Sequence, residues 1–138
     1  MLRKFLFGSS PGFTIELTVL LLRVASGLMM ALLHGWAKVP PSEKFILGVT
    51  ELGFPAPLFF AWCAGLAEFA GGILLAVGLF TRPAALFVAF TMGVAAFGRH
   101  LNDPFERKEL SLLYLGISLF FLAYGAGKVS LDRFLGGK

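Results

Sequence analysis

Two ionisable residues stand inside runs that otherwise avoid water: Arg23 in T18-V-L-L-L-R-V-A-S-G27, and Glu68 at the head of E68-F-A-G-G-I-L-L-A-V-G-L-F80. A charge facing lipid is costly, about 2.5 to 3.5 kcal/mol for a central arginine even on lenient insertion scales, so each needs a partner or a polar cavity. Glu16, Arg23, Gly27, Met30, His34 and Lys38 follow at steps of seven, four, three, four and four, which places them on one helical face that must look inward. Ala61, Gly65, Glu68, Gly72 and Ala76 form a matching row of small residues with one carboxylate among them. Counting from Ile15, Arg23 lies about 12 Å inside one boundary of the hydrocarbon; counting from Leu58, Glu68 lies about 15 Å inside the other. In a core of about 30 Å these depths nearly coincide, which predicts a buried Arg23–Glu68 ion pair. Such a pair can clamp helix register or handle a ligand or proton. A carboxylate held by guanidinium stays ionised, which makes it a poor general base.

A second group of candidates is expected at one end of the same bundle: His34, Lys38, Arg99, His100 and Glu109. Two histidines and a carboxylate suit zinc or iron, but no tight spacing such as H-E-x-x-H is present, and no metal site is assigned. Haem ligation by His34 and His100 would require the two to face each other across the cofactor. A hydrogen-bonded network joining His34, His100, Lys38, Glu109 and Tyr114 is the plainer expectation. Cys63 has no second cysteine to pair with and is expected to be a small buried hydrophobe. The Gly71 and Gly136 doublets lack a phosphate-loop context, and no motif in the chain identifies a catalytic residue.

The elements that must position these groups follow from composition. Apolar types make up 57% of the 138 residues and charged types only 14%, with mean hydropathy +0.83, which points to lipid as the solvent. Apolar segments at about 15–34, 58–80, 83–98 and 109–126 each approach the roughly 20 residues that cross a bilayer. No alternating pattern suggests a barrel, so an all-α fold is expected. The expected architecture is a transmembrane four-helix bundle, up-down-up-down, forming a single domain over residues 1–138. Between the first two spans, Pro41, Phe45, Ile46, Val49, Leu52 and Gly53 fit a short interfacial helix, with a lid over the bundle as its functional version. T81-R-P reads as an abrupt turn, and R99-H-L-N-D-P-F-E-R-K108 as a polar linker facing water or a polar cleft.

The net charge of +4 is spread through the linkers in place of a stripe, which argues for anionic lipid as the partner and against nucleic acid. The basic start M1-L-R-K-F-L resembles a signal peptide, but Arg23 interrupts the apolar part and further spans follow, so an uncleaved first span is expected. With the N-terminus inside, Arg3, Lys4, Arg82, Lys128, Arg133 and Lys138 face the cytoplasm, six against five for Lys38, Lys44, Arg99, Arg107 and Lys108 outside. Sixteen phenylalanines serve lipid contact and packing, and would also suit a flat apolar ligand such as a quinone. Trp36 and Trp62 read as interfacial anchors.

L33-H-G-W-A-K38, G53-F-P55, E68-F-A-G-G-I-L-L-A-V-G-L-F-T-R-P-A-A85 and the echo of G35-W-A-K-V39 in G125-A-G-K-V-S-L-D132 resemble the DoxX family of small membrane proteins, over about residues 15–135. The resemblance implies a multi-pass protein of the bacterial inner membrane with both termini cytoplasmic. It also implies a place in quinone-dependent or thiol-linked redox systems, with the family's charged positions at Arg23, His34, Lys38, Glu68, Arg82 and Asp132, and less firmly at His100 and Glu109. The single cysteine places a thiol-exchange role in doubt unless another protein supplies the thiols. The leading expectation is a membrane subunit with an inward polar cavity and quinone as its ligand. Alternatives are a small proton-coupled transporter, in which a buried acid exchanges protons for a cation, or a scaffold for a soluble redox enzyme. A homo-oligomer is compatible with each.

Overall fold

In a computed structural model, residues 12–136 are described, and among them the chain is all helical. The basic residues Arg3, Lys4 and Lys138, and the signal-like start, lie outside the described residues. Helix α1 (Phe13–Met29) continues without a break through a π turn, Met30–Gly35, and a 3₁₀ turn, Trp36–Lys38. Helix α2 is Glu43–Glu51, α3 is Pro57–Val77, and α4 (Thr81–Val94) runs on through a second π turn, Ala95–Arg99. Helix α5 is Phe105–Tyr124 and α6 is Leu131–Gly136. Three continuous helices, Phe13–Lys38, Pro57–Val77 and Thr81–Arg99, are long and apolar enough to cross a membrane. Helix α5 has comparable length but opens on the polar run Glu106–Glu109.

The element boundaries have local causes. Ser42 accepts the Phe45 amide at 3.3 Å and caps α2, and Gly53 at φ 78° follows its last turn. Gly78, at φ 71°, ends α3 in the left-handed conformation that lets its amide reach back to Leu75. The turn is therefore Gly78-Leu79-Phe80, and Thr81-Arg82-Pro83, expected as the turn, is instead the first turn of α4. Proline is tolerated there because first-turn amides have no helical acceptor. Likewise the first span does not stop at residue 34, and residues 105–108 of the polar linker are helical. A helix needs only local hydrogen bonds and continues past the apolar boundary until a glycine or proline stops it.

Packing follows chain order, α1 on α3, α3 on α4 and α4 on α5, with α5 touching α1. The α1–α3 seam is built of backbone against backbone. A methyl group added at Gly27 would lie 2.6 Å from the Ala76 nitrogen and the Gly72 oxygen, and one added at Gly65 would lie 2.5 Å from the Lys38 oxygen. The pairs Gly27 with Gly72–Ala76, Gly35 with Phe69, and Lys38 with Gly65 run in opposite directions, so the two helices are antiparallel. Ala61, Gly65, Glu68, Gly72 and Ala76 are all buried, as their spacing predicts. Val19, Met30, Leu75, Val88, Met92, Tyr114 and Phe121 belong to the core behind the seam.

Candidate functional site

Glycine contacts decide which charges meet. Gly35 stands against Phe69, beside Glu68, whereas Arg23 is twelve residues earlier on α1, about 18 Å along the axis. The expected Arg23–Glu68 pair does not form. Depth counted from the ends of apolar runs missed the register because α1 extends to Lys38 and the small-residue seam, not the charges, aligns the helices.

Glu68 is 1% exposed and is held by Lys38, whose Nζ lies 2.6 Å from both carboxylate oxygens. Lys38 reaches it from the 3₁₀ turn after the α1 π turn, where the change of winding redirects the last residues of the helix. The two ends differ in environment: the Glu68 side chain is 2% exposed and that of Lys38 31%. Two of the three ammonium donors are used on Glu68, and Nζ also lies 5.3 Å from the centre of the Phe45 ring.

Lys38 and Glu68 form the inner wall of a cavity of about 580 Å³ enclosed by α2, α3 and α4. Its roof is the apolar side of α2, with Phe45, Val49 and Leu52; Phe60, Ala64 and Ala67 come from α3, and Phe87, Phe90, Thr91 and Val94 from α4. Lys44, Arg99 and His100 add polar groups to the lining. Arg99 donates to Glu51 at 2.9 Å, tying the end of α4 to the end of α2. His100 Nδ1 bonds Asp103 at 2.8 Å, and that bond holds the Asp103 carboxyl below its usual range, helped by the nearby Arg107 and Arg99 charges.

Of the candidates, Lys38, Glu68, Arg99 and His100 thus surround one space, while Arg23, His34 and Glu109 do not. Among the described residues no side-chain hydrogen bond joins any two of His34, His100, Lys38, Glu109 and Tyr114, so the expected network does not form. His34 lies edge-on to Tyr114, ring centres 5.6 Å apart, and Glu109 is exposed with no ion pair among the described residues. His34 turns to α5 and Lys38 to Glu68 on α3, so these two residues of one helix face different neighbours. Cys63 is exposed and contributes to the cavity lining, contrary to its expected burial, because the seam of α3 lies on its Ala61–Gly65–Glu68 face. No group of three or more His, Cys, Asp and Glu able to hold a metal occurs among the described residues. Lys44 and Thr91 line the cavity with no signal of type or spacing in the sequence to mark them. The amphipathic spacing of 45, 49 and 52 was the one available signal for the roof.

Arg23 has another task. Its guanidinium donates to the carbonyl of Ala126 and, at 2.7 Å, to that of Val129, so it gathers the segment that follows α5. Glu16 accepts from the Lys128 amide at 3.0 Å. Ser130 caps α6 through the Arg133 amide at 3.2 Å, but the Asp132 carboxylate turns away and accepts the amides of Phe80 and Thr81 at 2.7 and 2.9 Å. It serves as an N-cap for α4, whose own cap residue Phe80 supplies no side-chain acceptor. Burial pushes the Asp132 carboxyl up, but those hydrogen bonds and the Arg23 charge outweigh it and leave it below the ordinary range.

An all-helical membrane protein with an acid–lysine pair at the wall of an apolar cavity is the class these features define. The chain belongs to the DoxX family, whose profile matches residues 18–101. It is 31% identical to "Inner membrane protein YphA" of Escherichia coli (strain K12) over 96% of this chain and 97% of that protein. It is also 31% identical to "Putative oxidoreductase CatD" of Bacillus subtilis (strain 168), over 87% of this chain and 88% of that one. A second Escherichia coli relative, "Inner membrane protein YqjF", is 31% identical over 75% of this chain and 82% of its own length. No solved structure matches the chain.

Proposed function

We propose that the protein is a multi-pass subunit of the bacterial inner membrane that serves a redox system by binding a quinone in the α2–α3–α4 cavity. The carrying observation is the cavity itself: about 580 Å³ of mainly apolar, Phe-rich space ending on the Lys38–Glu68 pair. That size falls in the range of small-molecule sites, and an apolar space with a few placed polar groups is their usual character. A quinone ring would lie between phenylalanines, with a carbonyl oxygen accepting the Lys38 N–H that Glu68 leaves free. The names of the CatD and YphA relatives support a redox role and an inner-membrane location. In this reading α1, α3, α4 and α5 cross the bilayer alternately, and a soluble redox enzyme exchanges electrons at the polar rim near Arg99 and His100.

Mass spectrometry of the gently purified protein tests the reading, followed by titration of decylubiquinone into the protein in nanodiscs. Retained quinone and saturable binding that is lost in Ala67→Phe, which fills the cavity, are expected. Purified protein that carries no quinone and shows no saturable decylubiquinone binding would overturn it.

Proton-coupled transport, the second reading, requires a buried acid free to exchange its proton. Glu68 is occupied on both oxygens by Lys38, which favours the binding-site reading. Cation uptake by proteoliposomes that disappears in Glu68→Gln would reverse that order.

A further inference from the structure

We infer that the cavity is loaded sideways from within the bilayer, by a ligand with one long apolar tail that lies in a groove along α4; this rests on the quinone reading above and specifies its ligand. Beside the cavity runs an open groove of about 460 Å³ lined by Leu52, Phe54, Phe90, Gly93, Val94 and Phe97, with Gly98 at its end. Leu52, Phe54, Phe90 and Val94 line both spaces, so groove and cavity adjoin along these side chains. The groove walls are almost wholly apolar, and Phe90 and Phe97 are each 62% exposed on a helix long and apolar enough to span a membrane, which turns this face toward acyl chains. All the cations of the site, Lys38, Lys44 and Arg99, belong to the cavity and none to the groove. That division matches a molecule with a hydrogen-bond-accepting head and a hydrocarbon tail: the head meets Lys38 and the tail leaves between α2 and α4.

Gly93 keeps the groove open. It has nothing within 4 Å of where a methyl group would stand, so a larger side chain there fills the groove without displacing backbone. Gly116, on the exposed face of α5, is open in the same way and lies outside both spaces, which makes it the matched control. Replacing either glycine raises helix propensity, so neither Gly93→Leu nor Gly116→Leu should weaken the fold.

The test compares binding of decylubiquinone with binding of the same dimethoxy-methyl-benzoquinone head lacking the tail, in detergent-purified full-length protein. Gly93→Leu is expected to weaken decylubiquinone roughly tenfold, about 1.4 kcal/mol, and to leave the tail-less head within about twofold of wild type. Gly116→Leu should change neither. Equal effects of Gly93→Leu on both ligands, or no effect on either, would overturn the tail groove while leaving the quinone site standing. Wild-type protein that binds neither ligand would overturn both.

Discussion

Asp132 caps a helix that begins fifty-one residues before it: its carboxylate takes the Phe80 and Thr81 amides at 2.7 and 2.9 Å, and its own amide donates to the Gly78 carbonyl at 2.8 Å. The turn between α3 and α4 is thereby closed by the end of the chain, with Arg23 holding the intervening loop by its carbonyls. Asp132→Ala should cost about 0.5 to 2 kcal/mol, the usual loss for an N-cap. Thermal unfolding in detergent would show it, and Asp132→Asn, which keeps one acceptor, should lose less.

The same carboxyl gives a pH dependence of known sign. Its folded pKa lies below the ordinary value, so the unfolded chain binds the proton more tightly. The stabilisation is complete above the ordinary carboxylate range and is lost as pH falls through the depressed folded value. Wild type should therefore lose stability faster than Asp132→Asn as the pH drops below about 4, in parallel thermal melts. Curves that stay parallel would remove this contribution.

Lys38 and Glu68 should respond unequally to loss of their partner. Lys38→Met leaves an almost fully buried carboxylate uncompensated, for which about 3 to 5 kcal/mol is typical. Glu68→Gln leaves an ammonium that is 31% exposed and can turn toward the cavity, so a smaller loss is expected. Combining Lys38→Met with Glu68→Gln should recover much of the Lys38→Met loss. Comparing the melting temperatures of the three variants decides this.

The α1–α3 seam leaves no room for a methyl group. Gly27→Ala and Gly72→Ala each bring a Cβ within 2.7 Å of opposing backbone, so the helices must separate along their length. Losses of about 1 to 3 kcal/mol are expected, as for overpacked cores, against a neutral or stabilising Gly116→Ala. If Gly27→Ala melts with wild type, the close approach is not what holds the seam.

Arg23→Lys keeps the charge but replaces a two-pronged donor with a point donor, so one of the Ala126 and Val129 carbonyls loses its partner. The 125–130 segment should then be cut sooner by protease, whereas Arg23→Lys should leave quinone binding unchanged because Arg23 is remote from the cavity.

Much of this organisation was legible from residue types alone. Helical periodicity placed Arg23, Gly27 and Met30 on the inward face of α1 and Ala61, Gly65, Glu68, Gly72 and Ala76 on that of α3, because a charged or polar row cannot face hydrocarbon. The amphipathic spacing of Phe45, Val49 and Leu52 marked the helix that roofs the cavity. The partners of the charges were not legible. Glu68 had Arg23 and Lys38 available on the same face of α1, and counting depth from the ends of apolar runs chose the wrong one.

Residue types alone were enough to show that the chain is helical, that its long helices suit lipid, and which face of α1 and of α3 turns inward, since these follow from solvation and from the 3.6-residue repeat. That Glu68 meets Lys38, that Arg23 binds loop carbonyls and that Asp132 caps α4 came from the packed helices. Register between helices depends on how backbone fits against backbone at glycines, and on π turns that redirect a helix end, and neither leaves a periodic trace in the residues.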